Sequence, residues 1–69
     1  MIGIRVTYYN GQIVLFLCHG EAYAKDLEQA VRKKGKPRHM KLALGPYSEQ
    51  DRWDAIREDR YVGSEERMQ

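Results

Sequence analysis

The run Ile2–Cys18, IGIRVTYYNGQIVLFLC, decides the fold because it predicts a β-hairpin with two apolar strands. Asn10-Gly11 is the strongest short-range hairpin signal, since a two-residue type I′ turn needs positive φ at both central residues. A turn of that length places Tyr9 opposite Gln12 and sets the register of both strands. The resulting pairs are Tyr8 with Ile13, Val6 with Leu15 and Ile4 with Leu17 on one face, and Thr7 with Val14, Arg5 with Phe16 and Gly3 with Cys18 on the other.

The second strand, IVLFLC, is apolar on both faces, and a chain of 69 residues can rarely cover two apolar faces. In the predicted register the first helix covers one face, which leaves Phe16 on the reverse face. Two coverings of that face are open. Either the second helix lies across it with Trp53 on Phe16, or a second copy of the chain buries it, since large apolar patches usually mark interfaces.

Two helices and a third strand follow the hairpin. Glu21–Lys34 has apolar residues at helical spacing and predicts an amphipathic helix, with Gly35 as its left-handed cap. Residues 40–44 alternate with period two and predict the third strand. Ser48 begins a second helix, because Asp51 three residues later completes a capping-box pattern. The apolar anchors of this helix are Trp53, Ile56 and Tyr61.

This order of elements, ββαβα, predicts a small single-domain α+β fold with a three-stranded mixed sheet and two helices. A strand–helix–strand crossover makes the third strand parallel to the second. We expect the sheet order 1-2-3, since a strand that is apolar on both faces suits a central position, with 2-1-3 as the alternative. The domain would span residues 1–62, and residues 63–69, GSEERMQ, would form a flexible polar tail because they have nothing to bury.

Size and composition limit the kinds of stabilisation that are open to the chain. A domain of this length buries only about 60% of the surface that its unfolded form exposes, so its stability is marginal. The single cysteine, Cys18, cannot form an internal disulfide and fits a reducing compartment. Two histidines, His19 and His39, fall short of a zinc ligand set. We therefore predict no metal, no cofactor, and stabilisation by a small core or by oligomerisation.

The N-terminal sequence and the apolar runs predict the localisation of the protein. The N-terminal sequence lacks the basic segment, apolar segment and cleavage site of a signal peptide. The longest apolar run, Ile13–Cys18, is too short to span a membrane. We expect a cytoplasmic protein that does not bind membranes.

The sequence contains no recognisable catalytic motif. Cys18 and His19 are adjacent, but successive side chains of a strand point to opposite faces, so the two are not expected to form a thiol–imidazole pair. The carboxylates of the second helix fit a solvated helix face. We therefore expect a protein without enzymatic activity.

Charge is distributed unevenly along the chain. Residues 1–44 hold eight Lys/Arg against three Asp/Glu, whereas residues 45–69 hold four against seven. The segment Arg32–Lys41, RKKGKPRHMK, holds six Lys/Arg and no acid, which favours contact with an anion-rich partner. The partner-binding residues that we predict are Arg32, Lys33, Lys34, Lys36, Arg38 and Lys41, together with Arg5, Tyr9 and Phe16 on the reverse face of the hairpin.

Two resemblances are relevant. Leu42–Ile56, LALGPYSEQDRWDAI, resembles the last strand and helix of a SPOR-type peptidoglycan-binding repeat over about a fifth of the chain. The second strand pair of that repeat is missing, so this resemblance implies a strand, a Gly-Pro turn and a helix and nothing more. In size and composition the chain is similar to small accessory proteins of phages and mobile elements, such as anti-CRISPR proteins.

The functional expectation is a non-enzymatic binding module that occupies a protein or ribonucleoprotein partner, as an inhibitor of host nucleic-acid machinery would. One alternative is direct nucleic-acid binding by the basic segment Arg32–Lys41, helped by Arg5 and by Tyr9 as a stacking platform. The other alternative is a structural homodimer through the Phe16 face.

Overall fold

The computed structural model describes residues 1–63, which form a small compact α+β domain with two helices and a mixed four-stranded sheet. Its elements are β1 (Ile2–Tyr8), β2 (Ile13–Cys18), a 3-10 turn (Glu21–Tyr23) that leads into α1 (Ala24–Lys33), β3 (Pro37–Ala43), α2 (Glu49–Arg57) and β4 (Tyr61–Val62). The strand order is β3-β1-β2-β4. β1 is antiparallel to both its neighbours, and β4 is parallel to β2. The α+β class with two helices and a mixed sheet is confirmed.

The sheet has one strand more than the sequence predicts. β4 pairs Tyr61 with Leu17 and Val62 with Cys18. A strand of two residues has no periodicity, so no sequence pattern indicates it. β2 does lie inside the sheet, but its second neighbour is β4, and β3 therefore pairs with β1. The predicted order 1-2-3 is wrong, whereas the alternative 2-1-3 describes the first three strands, with β2 and β3 parallel to each other.

The hairpin is confirmed, but its loop has three residues instead of two. Gly11 N–H donates to the Tyr8 carbonyl and Tyr8 N–H donates to the Gln12 carbonyl, both at 2.9 Å. Gly11 is the only residue of this loop with positive φ (+89°), as the last residue of a three-residue hairpin loop requires. Asn10 instead accepts a hydrogen bond from Gln12 N–H through its side-chain Oδ1, at 2.9 Å. The predicted type I′ turn is therefore wrong.

The longer loop shifts the register by one residue and exchanges the two faces of β2. Ile4 lies opposite Phe16 and Arg5 lies opposite Leu15, where a two-residue loop would pair Ile4 with Leu17 and Arg5 with Phe16. Since β2 is apolar on both faces, either register buries an apolar row. Phe16 lies on the α1 side of the sheet and Leu17 on the α2 side.

The main core lies between the sheet and α1. Its buried members are Val6, Tyr8, Phe16, Cys18, Leu27 and Val31. The Tyr8 hydroxyl donates to the Val31 carbonyl at 2.9 Å across this core, and burial raises the pKa of Tyr8. Phe16 has no exposed surface. The predicted placement of Phe16 on the reverse face is therefore wrong, and the predicted homodimer loses the side chain on which its interface depended.

The first helix is confirmed with a change at its start. The 3-10 turn Glu21–Tyr23 precedes α1, which buries Leu27 and Val31 against the sheet. Gly35 follows the helix with φ +143°, a conformation that favours glycine. The helix therefore ends where its sequence signals predict.

The second helix begins as predicted but packs through a different residue. Ser48 Oγ accepts from Asp51 N–H at 3.1 Å, and Asp51 Oδ2 accepts from Ser48 N–H at 2.8 Å, which completes the capping box. The predicted anchor Trp53 is 45% exposed, whereas Ala55 is fully buried against Leu17. The expectation that Trp53 covers Phe16 is therefore wrong, because the two side chains belong to opposite sides of the sheet.

The end of the described chain is packed. Gly63, which the sequence places in the tail, is buried and has φ +104°. A Cβ atom at this glycine would lie 2.7 Å from the His19 Cβ. The predicted flexibility of residues 64–69 concerns a segment outside the described residues. Within residues 1–63 no helix has both the length and the apolar character that a membrane crossing requires.

Candidate interaction surface

The sheet face opposite α1 is only partly covered. α2 and β4 cover one end of it, where Leu17, Ala55 and Tyr61 are buried. Half-buried side chains border this second cluster: Leu15, Tyr47 and Ile56. Tyr47 lies over Gly3 and donates its hydroxyl to the Ala43 carbonyl, so the end of the sheet that carries Gly3 is also closed.

The uncovered part of this face carries the basic side chains of β1 and β3. Arg5 lies directly opposite Lys41, and Thr7 lies directly opposite His39. Directly opposed residues of an antiparallel pair share a face, so these four side chains lie on the same side as Leu15 and Leu17. Arg5, His39 and Lys41 are exposed. We call Arg5, Thr7, His39 and Lys41 the basic sheet surface.

The positive charge of the basic sheet surface is not neutralised by any described residue. β1 and β3 contain no Asp or Glu. The ion pairs found within residues 1–63 lie elsewhere, and they are Arg32 with Glu28, Arg52 with Glu49, Arg57 with Asp54 and Arg60 with Glu58. Like charges placed directly opposite on neighbouring strands destabilise a sheet. Arg5 and Lys41 therefore create a local excess of positive charge that costs stability in the isolated chain.

The structure divides the predicted basic segment into two groups. Arg32 and Lys33 lie in the last turn of α1, where Arg32 pairs with Glu28 at 3.5 Å. Lys34 Nζ lies 3.5 Å from the Glu58 carbonyl oxygen. These three residues belong to the C-terminal end of α1. Only the later part of the segment reaches the basic sheet surface.

The remaining predicted residues lie on or beside β3 and β1. Lys36 and Arg38 are exposed, and Arg38 sits where the pairing of β3 with β1 is interrupted by a bulge. Tyr9 is 68% exposed in the hairpin loop. Of the predicted partner-binding residues, Arg5 and Lys41 thus lie together on one face, whereas Phe16 lies in the core and not on this face.

Apolar side chains border the basic sheet surface. Ile13, the partner of Thr7 on β2, lies on the same face and is 64% exposed. At the end of β3, Leu42 is 60% exposed on the other face of the sheet, and Leu44 is 73% exposed. Sequence reasoning missed Ile13, Thr7 and the site role of His39, although the alternation of polar residues along β1 is a signal that could have indicated this face.

The adjacent Cys18 and His19 do not form a nucleophile–base pair. Cys18 is fully buried, its Sγ donates to the Gly20 carbonyl at 3.3 Å, and burial raises the pKa of the thiol. His19 Nδ1 lies 3.2 Å from the Tyr61 hydroxyl instead. Among residues 1–63 there is no group of three or more His, Cys, Asp or Glu side chains that could hold a metal ion.

Known proteins provide no further indication of the role of this surface. Compared with family models, with curated proteins and with solved structures, the chain matches none of them. The segment Leu42–Ile56, which carries the SPOR-type resemblance, forms the end of β3, a connection through Pro46 and most of α2.

Proposed function

We propose that the protein is a non-enzymatic binding module whose basic sheet surface occupies an acidic surface of a protein or ribonucleoprotein partner. The observation that carries this proposal is the direct pairing of Arg5 with Lys41 on an exposed sheet face. The pairing costs stability in the isolated chain. An anionic partner would reverse that cost, because it would stand close to both cations at once.

The surroundings of the basic sheet surface favour a protein surface over nucleic acid. Ile13 and the half-buried Leu15 offer aliphatic area on the same face as the cations. The one Phe, Tyr or Trp on β1 or β3, Tyr8, is buried, and the exposed Tyr9 lies in the hairpin loop and not in the basic sheet surface. Single-stranded nucleic acids are usually bound by stacking bases on such side chains. A mixed basic and aliphatic surface fits a partner with acidic and apolar residues.

The arrangement of the reactive side chains supports a role without catalysis. The Cys18 thiol lies in the core, and the nearest histidine, His19, contacts Tyr61. A module of this kind acts by occupancy, since it excludes the ordinary ligand of the surface that it covers. Inhibition of nucleic-acid machinery, the more specific role that size and composition indicate, would work in this way.

The proposal is tested by titrating labelled protein with polyglutamate and with single-stranded DNA and RNA oligonucleotides, by fluorescence anisotropy at low and high salt. We expect polyglutamate to bind, and the double variant Arg5→Glu/Lys41→Glu to lose most of this binding. The matched control is Lys25→Glu/Lys33→Glu, which changes the net charge equally at exposed positions of α1 that lie outside the basic sheet surface and form no ion pair with a described residue.

The opposite result would favour direct nucleic-acid binding. In that case oligonucleotides bind at low salt and polyglutamate does not. The logarithm of the affinity then falls linearly with the logarithm of salt concentration, with a slope of about −0.7 per neutralised phosphate for these single strands. That outcome would replace the acidic partner by nucleic acid.

A further inference from the structure

The two edges of the sheet differ in how they are protected. On the β4 side, the last strand has only two residues, and the neighbouring edge of β2 is closed by Arg60. The Arg60 guanidinium donates from Nη1 to the Leu15 carbonyl at 2.6 Å, and the Arg60 carbonyl accepts from Leu17 N–H at 2.8 Å. This edge offers no continuous row of free backbone groups to another strand.

The β3 edge is open. β3 has seven residues and lies at the end of the sheet. Apart from the ladder with β1, the backbone of residues 38–42 makes no hydrogen bond with any described residue. Alternate residues of an edge strand direct N–H and C=O groups away from the sheet, where they can pair with a further strand. Pro37 and the bulge at Arg38 limit the regular part of this edge to its second half.

We infer that β3 accepts an extended segment of the partner protein as a fifth strand. This inference rests on the proposed function and specifies how the partner binds. Backbone hydrogen bonds would supply affinity, and side chains on the two faces would supply specificity. The partner segment is identified by the chemistry that β3 presents on each face.

The two faces of β3 select different residues of the partner segment. His39 and Lys41 lie on the face of the basic sheet surface, beside Arg5. Met40 and Leu42 lie on the other face, where Leu42 is 60% exposed. Cross-strand neighbours of opposite charge stabilise a sheet, and so do apolar neighbours. The segment therefore alternates acidic and apolar residues, with its acids toward Lys41 and Arg5.

A second copy of the chain fits this edge less well than an acidic segment does. The register that pairs residues 39–43 of both copies in full places Lys41 opposite Lys41 of the other copy, and a shift of two residues places it opposite His39 or Ala43. The first arrangement sets like charges directly opposite each other, and the shifted ones pair fewer residues. A lysine on an edge strand is a common feature that prevents such self-association. An acidic partner turns the same lysine into an attractive contact.

The test uses a capped heptapeptide in which Glu alternates with Val, added to the full-length protein. We expect the backbone amides of residues 38–42 to shift in NMR spectra and to exchange more slowly with solvent when the peptide is bound. Lys41→Glu should weaken binding by about tenfold or more, since it replaces an attraction by a repulsion. Leu42→Ser should weaken it less. Both positions are exposed, and circular dichroism confirms that each variant is folded.

A second heptapeptide of equal charge is N-methylated at its three central residues and cannot complete the strand ladder, because N–H groups of both directions are removed. Equal binding of both peptides, with unprotected β3 amides, would overturn strand addition while the acidic-partner proposal stands. If neither peptide binds while polyglutamate still binds, strand addition is likewise overturned and the acidic-partner proposal stands. If polyglutamate also fails, the proposed function itself is wrong. Protected β3 amides in a dimer without any peptide would assign the edge to a second copy and overturn the inference.

Discussion

The two faces of one sheet are completed in different ways. On the α1 side, Phe16 and its neighbours from β1 and β2 lie under Leu27 and Val31, and this core is closed by the chain itself. On the α2 side, the covering helix contacts the sheet through Ala55, near Leu17, and leaves the other end uncovered.

The difference assigns stability to one face of a very small domain and, under the proposed function, leaves the other face for binding. Large side chains on α1 fill the space above β1 and β2, so that face carries the main hydrophobic stabilisation. A small residue on α2 brings the helix close to the sheet at one end only. The remaining area, with Arg5 and Lys41, then stays exposed.

The largest expected effect tests which face Phe16 occupies. Phe16→Ala should lower the free energy of unfolding by about 3–5 kcal/mol, because it leaves a cavity in the α1 core. That loss is comparable with the lower end of the whole stability of small domains, about 5 kcal/mol, so the variant should be largely unfolded. Urea unfolding followed by circular dichroism measures the change.

Ile13→Ala is the matched control, because Ile13 is 64% exposed on the opposite face. Its effect should stay within about 0.5 kcal/mol. In the register of a two-residue turn the two results would be interchanged, since Ile13 would then lie under α1. A folded Phe16→Ala protein beside an unfolded Ile13→Ala protein would therefore contradict the observed pairing.

The next effect concerns the close approach of α2. Ala55→Leu should destabilise by about 1–3 kcal/mol, since Ala55 has no exposed surface and additional methyl groups would have to displace the helix. Ala24→Leu introduces the same side chain at an exposed position of α1 and should be nearly neutral. Thermal unfolding of both variants gives the comparison. Equal melting temperatures would mean that α2 does not pack tightly on β2.

A smaller effect tests the hairpin loop that sets both faces. Gly11→Ala should cost about 1 kcal/mol, because φ at this position is +89°. Asn10→Ala should lower the stability less, because Asn10 does not have a positive φ. The substitution removes only the exposed hydrogen bond that Gln12 N–H donates to the Asn10 side chain. In a type I′ turn both substitutions would place alanine at positive φ. Similar losses of stability for the two variants in chemical denaturation would indicate a type I′ turn and contradict the three-residue loop.

The smallest effect lies on the exposed side of α2, at Asp54. Hydrogen bonds from Arg57, and then from Gln50, hold the pKa of Asp54 below its ordinary value of 3.8. A carboxylate with a lowered pKa contributes stability that is fully present above the unfolded-state pKa and is lost as pH falls through the folded-state pKa. Asp54→Asn should therefore make the loss of stability below about pH 4 shallower.

The measurement is the melting temperature between about pH 2 and 7. Gln50→Ala removes one of the two hydrogen bonds and should change the acid limb less than Asp54→Asn does. An identical acid limb in the Asp54→Asn and wild-type proteins would show that these surface hydrogen bonds have no effect on folding.

Local signals in the sequence predicted much of the fold. The hairpin, α1 with its glycine after the last turn, and the capping box of Ser48 and Asp51 are confirmed because each depends on residues that are close in sequence. Charge alone predicts the basic segment, and two of its later residues, His39 and Lys41, lie in the basic sheet surface. Backbone conformation and charge at one position are properties that a short stretch of sequence specifies.

Only the tertiary structure decided the strand pairing and the composition of the site. β2 is apolar on both faces, so hydrophobicity could not distinguish two registers that differ by one residue, and the loop conformation at Gly11 decided between them. β4 forms because Tyr61 and Val62 meet β2 after α2 has crossed the sheet. Arg5 and Lys41 are distant in sequence, and they become a single charged surface only because β3 pairs with β1. Periodicity reports how a strand alternates, whereas pairing depends on which edge the rest of the chain leaves free.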